Sequence, residues 1–497
     1  MKKSNLLIFF LLTIVFSACT LEREEYEKLD ENQFYKNEKD CKAAMANLYN
    51  FLGGAHGGWV NGVRVGGFIF SEMITDIMDC YWNWNVLHDH TYTPTWATDY
   101  ANQDEFDIFA ISRDLTICRG TMLRIQNADI SETIKNKYVA EARLIHAYIA
   151  LHLYKFIGPV PIVPDDDILN PAEVKYYERP TDAEFVQMIK DDVIAAMPYL
   201  PDPQEQDKSS EWGKMNTGIA RMVMLKLCMM EKDWKNARKY AQEIIDMGCY
   251  KLEDDYMSIF AVANRRNAEE IYGVPRDASV SSQGNTWHAN SLPNLFPTGN
   301  VQVVKWGGYC IQWGFVHSFD KRDKRLKGIV SEFRGLDGIL YNENNPGAPL
   351  RKGAVALKYD IDPGQVGSGS NHDIIIYRYA DVLLSMAEIL NELDGPTQKA
   401  LYYFNMIRPR TGLPDMELPA SKEAFRDSIF IERGHEFYCE GHRYSDMVRM
   451  GKYVDWMKKT NPTVNPSMIR MPIADKYIIE YQGKFCLLYT SPSPRDS

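Results

Sequence analysis

The sequence predicts a mostly α-helical protein, built as stacked helical pairs that carry long irregular loops. Three observations lead there. Apolar residues recur at helical spacing, best in Ser131–Phe156, where Ala140, Leu144, Ala147, Leu151 and Tyr154 share one face. Two further helical segments, Met215–Met230 and Trp234–Met247, are joined only by Glu231-Lys232-Asp233, and Gly218, Ala220, Ala237 and Ala241 let their backbones pack closely. From Glu269 to about Ser370 the helical period is mostly lost and Gly, Pro, Asn and Trp become frequent, a pattern of functional loops within a compact domain.

In chain order, Glu38–Phe51 reads as a first helix, broken by Gly53-Gly54-Ala55-His56-Gly57-Gly58, and a second helix is expected over Val63–Cys80. Tyr81–Tyr100 loses the period and crowds Trp, Tyr, His, Asn and Thr; helix resumes over Asp104–Ala128. Ser131 suits an N-cap, Gly158-Pro159 ends that helix, and Thr181 caps the next after a loop over Pro161–Arg179. The Met215–Met247 hairpin is of the tetratricopeptide kind without its strict consensus, so residues 104–250 read as stacked pairs. The small-residue run Gly364, Gly367-Ser368-Gly369-Ser370 reads as a flexible surface turn. Helices return over Tyr379–Asn391, Thr397–Ile407, Ser421–Glu440 and His442–Lys458.

Composition narrows the class. Hydrophobic residues at 45% and charged residues at 25% describe a soluble globular protein, and the net charge of −11 argues against nucleic acid, whose affinity comes from Lys and Arg on phosphates. Residues 1–18 read as a signal peptide: Lys2 and Lys3 precede an apolar run from Leu6 to Phe16 that is too short to span a membrane. Ser17-Ala18-Cys19 resembles a bacterial lipobox, which makes Cys19 the expected lipidation site, and the following Thr-Leu-Glu-Arg-Glu-Glu resembles the acidic export tag of surface lipoproteins in Bacteroidetes. Residues 486–497 resemble the translation of a sequencing adapter and are set aside. A single domain over 19–485 is expected, with an N-terminal part, 19–270, and a loop-rich and C-terminal helical part, 271–485. Seven cysteines remain besides Cys19 and Cys486; their irregular spacing and the lack of any CxxC indicate neither a disulfide framework nor a zinc site.

Four segments carry a family resemblance. They are Ala140-Glu141-Ala142-Arg143-Leu144 leading to Gly158-Pro159-Val160-Pro161; Tyr377-Arg378-Tyr379-Ala380-Asp381 with Ala387-Glu388 and Asn391-Glu392; Asn405 to Pro414; and Ile431-Glu432-Arg433-Gly434-His435-Glu436-Phe437 followed by Glu440 to Asp446 and Arg449 to Lys452. In this order, behind a lipobox, they resemble the SusD/RagB family of nutrient-binding outer-membrane lipoproteins. The resemblance implies a tetratricopeptide-like helical scaffold with irregular ligand-binding loops. It also implies a cell-surface protein that binds glycan and sits as a lid on a SusC-like TonB-dependent transporter.

The residues themselves suggest binding rather than catalysis. Glu432, Glu436 and Glu440, at steps of four, would share a helix face, and paired carboxylates can cleave glycosides. With Arg433, His435, His442 and Arg443 around them, an ion-pair network bracing the helices is the simpler account. His435-Glu436 lacks the second His of a zinc protease, Gly367-Ser368-Gly369 lacks the strand-to-helix setting of a nucleophile elbow, and no phosphate loop or dinucleotide fingerprint occurs, so no catalytic residue, cofactor or metal is expected. Sugar rings stack on aromatic faces while their hydroxyls need fixed polar partners. One loop offers Trp82, Trp84, Tyr92 and Trp96 among Asp76, Asp79, Asn83, Asn85, His88 and Asp89; another offers Trp287, Trp306, Tyr309 and Trp313 among His288, Asn290, Asn294 and Gln312. The candidate ligand-binding residues are Trp82, Trp84, Trp96, Trp287, Trp306, Tyr309 and Trp313, although burial as a loop anchor accounts equally well for any one tryptophan. Trp234 reads as core. A peptide ligand, a transporter lid without a ligand site, and a surface glycoside hydrolase are the competing readings.

Overall fold

The structure is a computed structural model that describes residues 35–53, 60–63, 66–82, 107–170, 175–280, 283–459, 462, 466–471, 473 and 475–481. The expected signal peptide, Cys19, Trp84, Tyr92, Trp96 and the tail from 486 lie outside the described residues.

The fold is mostly helical. Its main helices are α1 (Glu38–Gly53), α2 (Gly67–Met73), α3 (Ser112–Gln126), α4 (Glu132–Ile157), α5 (Asp182–Ala196), α6 (Thr217–Met230), α7 (Trp234–Asp246), α8 (Tyr379–Asp394), α9 (Gln398–Asn405), α10 (Lys422–Phe437) and α11 (Arg443–Arg449). Their ends follow local chemistry. Thr181 and Glu184 form a reciprocal capping box on α5, and Asn216, Asp233, Thr397 and Ser421 each accept a backbone N–H at the start of α6, α7, α9 and α10. Ser131 stands at the start of α4, but its side chain makes no cap bond. Gly158, at φ 79°, ends α4 in a conformation that disfavours any side chain.

Neighbouring helices pack in sequence: α3 on α4, α4 on α5, and α6 on α7. The stack then skips more than a hundred residues, because α7 packs directly on α8, which packs in turn on α9 and α10. Residues 247–378 are therefore an excursion from a continuous helical stack. Its neck is a two-stranded ribbon in which β2 (Glu270–Val274) runs antiparallel to β8 (Ile374–Arg378).

The stretch read from sequence as irregular contains short strands. β3 (Tyr309–Gln312), β4 (Ile329–Val330) and β7 (Gly353–Ala356) join β1 (Met78–Cys80) in a sheet of order β1-β3-β7-β4, while β5 (Glu332–Arg334) and β6 (Leu340–Asn342) form a separate hairpin. A small apolar cluster of Leu292, Phe296, Val303, Phe333, Tyr341, Leu350 and Val355 gives this excursion its own core. The expected helix over Val63–Cys80 is corrected here: α2 stops at Met73, and Met78–Cys80 pairs instead with Ile311, Cys310 and Tyr309. Long-range pairing overrides local period in such a short apolar run. The run at Gly367–Ser370 is likewise no loose turn. Ser370 bridges to Asn285, and a Cβ on Gly284 would stand 2.6 Å from the Cα of Gly369, so two backbones cross where only glycine fits.

Buried charge locks the excursion to the stack. Arg378, at the end of β8, binds Glu269 and Glu436 at 2.7 Å and Glu440 at 2.7 Å. Arg410 binds Glu269 and Glu436 at 2.5 Å, and Arg325 binds Asp323 at 2.7 Å, Glu432 at 2.6 Å and Glu436 at 2.9 Å. Glu432 and Glu436 do share a face of α10, but Glu440 does not: α10 ends at Phe437, Cys439 takes φ 61°, and Glu440 returns to the network through the turn. There it accepts from Lys358 at 2.6 Å. Burial would raise the Glu436 carboxyl, but the guanidinium groups of Arg410, Arg378 and Arg325 hold it well below the usual carboxylate range.

Candidate functional site

Trp82, the described tryptophan of the first aromatic segment, meets the second aromatic loop at one end of the β1–β3 pair. In the antiparallel register Cys80 faces Tyr309, and the Tyr81 N–H donates to the Gly308 carbonyl at 2.7 Å. The chain leaving β1 and the chain entering β3 therefore start from the same edge. Trp82 lies against the Gly308 backbone, where a Cβ would run into its ring, and sits 5.4 Å from the Tyr309 ring centroid. Glycine at 308 is what admits the tryptophan.

Trp287 and Tyr309 sit beneath this surface. Each is 1% exposed; their centroids are 6.1 Å apart, Trp287 also packs on Tyr359 at 5.9 Å, and its Nε1–H donates to the Ala356 carbonyl at 3.2 Å. A ring so buried offers no face to a ligand, so both act as supports for the platform rather than as its contact surface. Trp287→Ala is expected to cost roughly 3–5 kcal/mol, the usual range for a buried aromatic cut to alanine. Chemical denaturation measures it, and an unchanged midpoint would contradict the supporting role.

Trp306 is the exposed member. Its backbone N–H donates to Ala289 at 2.6 Å while its side chain is 38% exposed. Val304 beside it is equally exposed, Val366 is 66% and Val301 100% exposed, and the Val304 N–H donates to Gly367 on the adjoining segment at 2.9 Å. Between them, Val303 is buried in the small cluster, and Lys305 turns its Nζ to the Phe296 carbonyl at 2.8 Å. The alternation is that of an extended chain with one face outward. Trp313 stands at the other end of β3, half-buried, with Nε1 donating to Leu350 at 3.2 Å and its ring stacked on His317. Trp82 and Trp306 thus lie toward the Tyr309 end of β3, and Trp313 follows its other end.

Most polar groups expected to meet a ligand are engaged internally. His288 contacts Gln365 and the Tyr359 carbonyl, Asn290 donates to Thr286, and Gln312 donates to the carbonyls of Thr75 and Met78. Asp79 pairs with Lys352 at 3.1 Å, and Asp76 receives both arms of Arg443 at 2.8 Å. Asn294 is exposed. The valines of the rim went unnoticed in the sequence because isolated valines carry no signal; only their shared exposure marks them.

Catalytic groupings are accounted for as supports. Ser370, His372 and Asp360 form a hydrogen-bonded chain at 3.0 and 2.6 Å, which by residue type matches a hydrolase triad. Ser370 is fully buried and also lies 3.2 Å from the Asn285 carbonyl, so no substrate reaches its hydroxyl. Elsewhere, a cavity of about 530 Å³ opens between α3, α4 and α5. On its wall Asp192 is held by Arg143 at 2.9 Å and by His146 at 2.7 Å. Nothing in the sequence pattern singled it out. Among the described residues no group of three or more His, Cys, Asp or Glu is placed to hold a metal ion, and all seven cysteines are free thiols.

Comparison with known proteins gives one consistent result. Residues 276–482 match the SusD family. SusD-like protein P25 of Formosa agariphila is 24% identical over 95% of this chain and 96% of its own length, and a SusD-like protein of Bacteroides ovatus is 22% identical over 91% and 83%. Among solved structures, a SusD homologue from Bacteroides thetaiotaomicron superposes with a TM-score of 0.74 at 19% identity, covering 92% of this chain and 98% of its own. Surface glycan-binding protein A of the same organism gives 0.73 at 18% identity, covering 91% and 99%, and has also been solved in complex with laminarihexaose.

Proposed function

Starting from a SusD-like chain, in family match over residues 276–482 and in fold over the described length, we propose that this protein is a cell-surface glycan-binding lipoprotein. It captures oligo- or polysaccharide and delivers it to a SusC-like TonB-dependent transporter in the outer membrane. The observation that carries the reading is the exposed Trp306 edge, with Trp82 seated on Gly308 two residues along and Trp287 and Tyr309 packed rigidly below. Aromatic faces held on a stiff support stack on the apolar face of a sugar ring without losing much freedom on binding. Binding is reversible and breaks no bond, in keeping with carboxylates on α10 that are committed to arginines. Proteins of similar fold that are described as surface glycan-binding or laminarin-binding support the same ligand class.

Anchoring follows from the amino-terminal sequence. Acylation of Cys19 would tether the protein to the outer face of the outer membrane; no described helix is long and apolar enough to cross a membrane. The test is affinity electrophoresis of the soluble chain beginning after Cys19 through gels containing single polysaccharides, with a peptide panel in calorimetry. Retardation by a polysaccharide supports glycan capture. Peptide binding alone would move the protein to peptide uptake, and neither would leave a lid whose specificity resides in the transporter.

A further inference from the structure

The chemistry around Trp306 narrows the glycan further, taking glycan capture at this face as the premise. Charged residues make up 25% of the chain, yet residues 283–319 contain a single one, Lys305, and residues 363–371 contain none. These are the two segments that build the Trp306 edge, joined by the bridge between Val303 and Gly367. Lys305 does not face outward with Val304 and Trp306: its ammonium is bound to the Phe296 carbonyl on the side of the small cluster.

The other charges at these segments are held by partners within the protein: Arg265 donates to the Asn371 carbonyl at 2.6 Å and stands 4.0 Å from Asp373. Asp362 is buried and its carboxylate accepts from the backbone of Gly364 and from both the backbone and side chain of Asn371. Lys352, which approaches Cys80 just before Trp82, is paired with Asp79. The two histidines of the region do not supply a cation to this face. His288 is buried and is held below its usual pKa by burial and by His372, while His317 lies with Trp313 at the far end of β3 and pairs with Glu343.

Sites for carboxylates, sulfates or phosphates use Arg or Lys, because desolvating an anion against a surface without a cation is costly. The Trp306 edge offers valines, a tryptophan and backbone amides instead. We infer that this face takes a neutral glycan, one without uronate or sulfate groups.

The experiment compares neutral polysaccharides (α- and β-glucans, mannan, xylan) with anionic ones (alginate, polygalacturonate, a sulfated galactan) by affinity electrophoresis and calorimetry. The expected result is binding to a neutral polymer whose affinity changes less than about twofold between about 50 and about 500 mM salt, since screening acts only on exposed charge. That binding is lost in Trp306→Ala and kept in Lys305→Gln. Trp306-dependent binding of an anionic polymer, weakened by salt or by Lys305→Gln, would overturn the inference and leave glycan capture standing. Retention of no polysaccharide at either salt concentration overturns glycan capture itself.

Discussion

Glu436→Ala is expected to destabilise the protein by roughly 3–5 kcal/mol, a large part of the 5–15 kcal/mol typical of a folded domain. The reason is the number of partners left behind. Arg325, Arg378 and Arg410 all place guanidinium nitrogens within 2.9 Å of this one carboxylate, and Arg378 and Arg325 are fully buried. Removing the anion leaves three buried cations short of one carboxylate, with only Asp323, Glu432, Glu269 and Glu440 to offset them. Urea titration of wild type and variant gives the difference directly; a cost below about 1 kcal/mol, the scale of an exposed pair, would show that the network is not a brace. The pH dependence has a definite sign. Because the Glu436 carboxyl titrates lower in the folded than in the unfolded chain, its contribution is present above the ordinary value of 4.5 and is lost as pH falls toward the folded value. The stability gap between wild type and Glu436→Gln should therefore narrow on acidification below that point.

Trp306→Ala carries the largest expected effect on function. A tryptophan at the centre of a contact surface is among the residues that contribute most to binding, and its loss should weaken glycan affinity at least tenfold, about 1.4 kcal/mol or more. Stability should change less than in Trp287→Ala, because Trp306 is 38% exposed where Trp287 is 1% exposed, and the backbone bonds from Trp306 to Ala289 and from Val304 to Gly367 remain. The contrast with Trp287→Ala makes the pair diagnostic: one variant loses binding with its fold intact, the other loses stability. Calorimetry beside thermal unfolding separates them, and equal affinity in Trp306→Ala would place the ligand elsewhere.

Much of the scaffold was legible in the chain because helices are local. The steps of four and three that join Ala140, Leu144, Ala147 and Leu151, the Thr181 cap and the break at Gly158 each act within a few turns, and the helices stand within a few residues of where those signals put them. The dense charge about Glu432 and Glu436 was legible as an ion-pair brace, but its partners were not: Arg325, Arg378, Arg408 and Arg410 bind these carboxylates, whereas Arg433 pairs with Asp381 and Asp446 and Arg443 with Asp76. What failed was whatever depended on a distant partner. The end of the expected second helix became strand β1 because Ile311, Cys310 and Tyr309 were there to pair with it. Glu440 left the helix and still entered the network, because Arg378 and Lys358 reach it from outside α10.

The candidate site divides along the same line. By itself the sequence determined that two segments are rich in tryptophan and interrupt a mostly helical chain. Only the tertiary structure decided which aromatics face outward. The β1–β3 register sets Trp82 on Gly308, and the Trp287 indole, bonded to Ala356, is buried where Trp306 is partly exposed. Exposure is a property of everything packed around a residue, contributed here by strands hundreds of positions apart, and no local pattern encodes it.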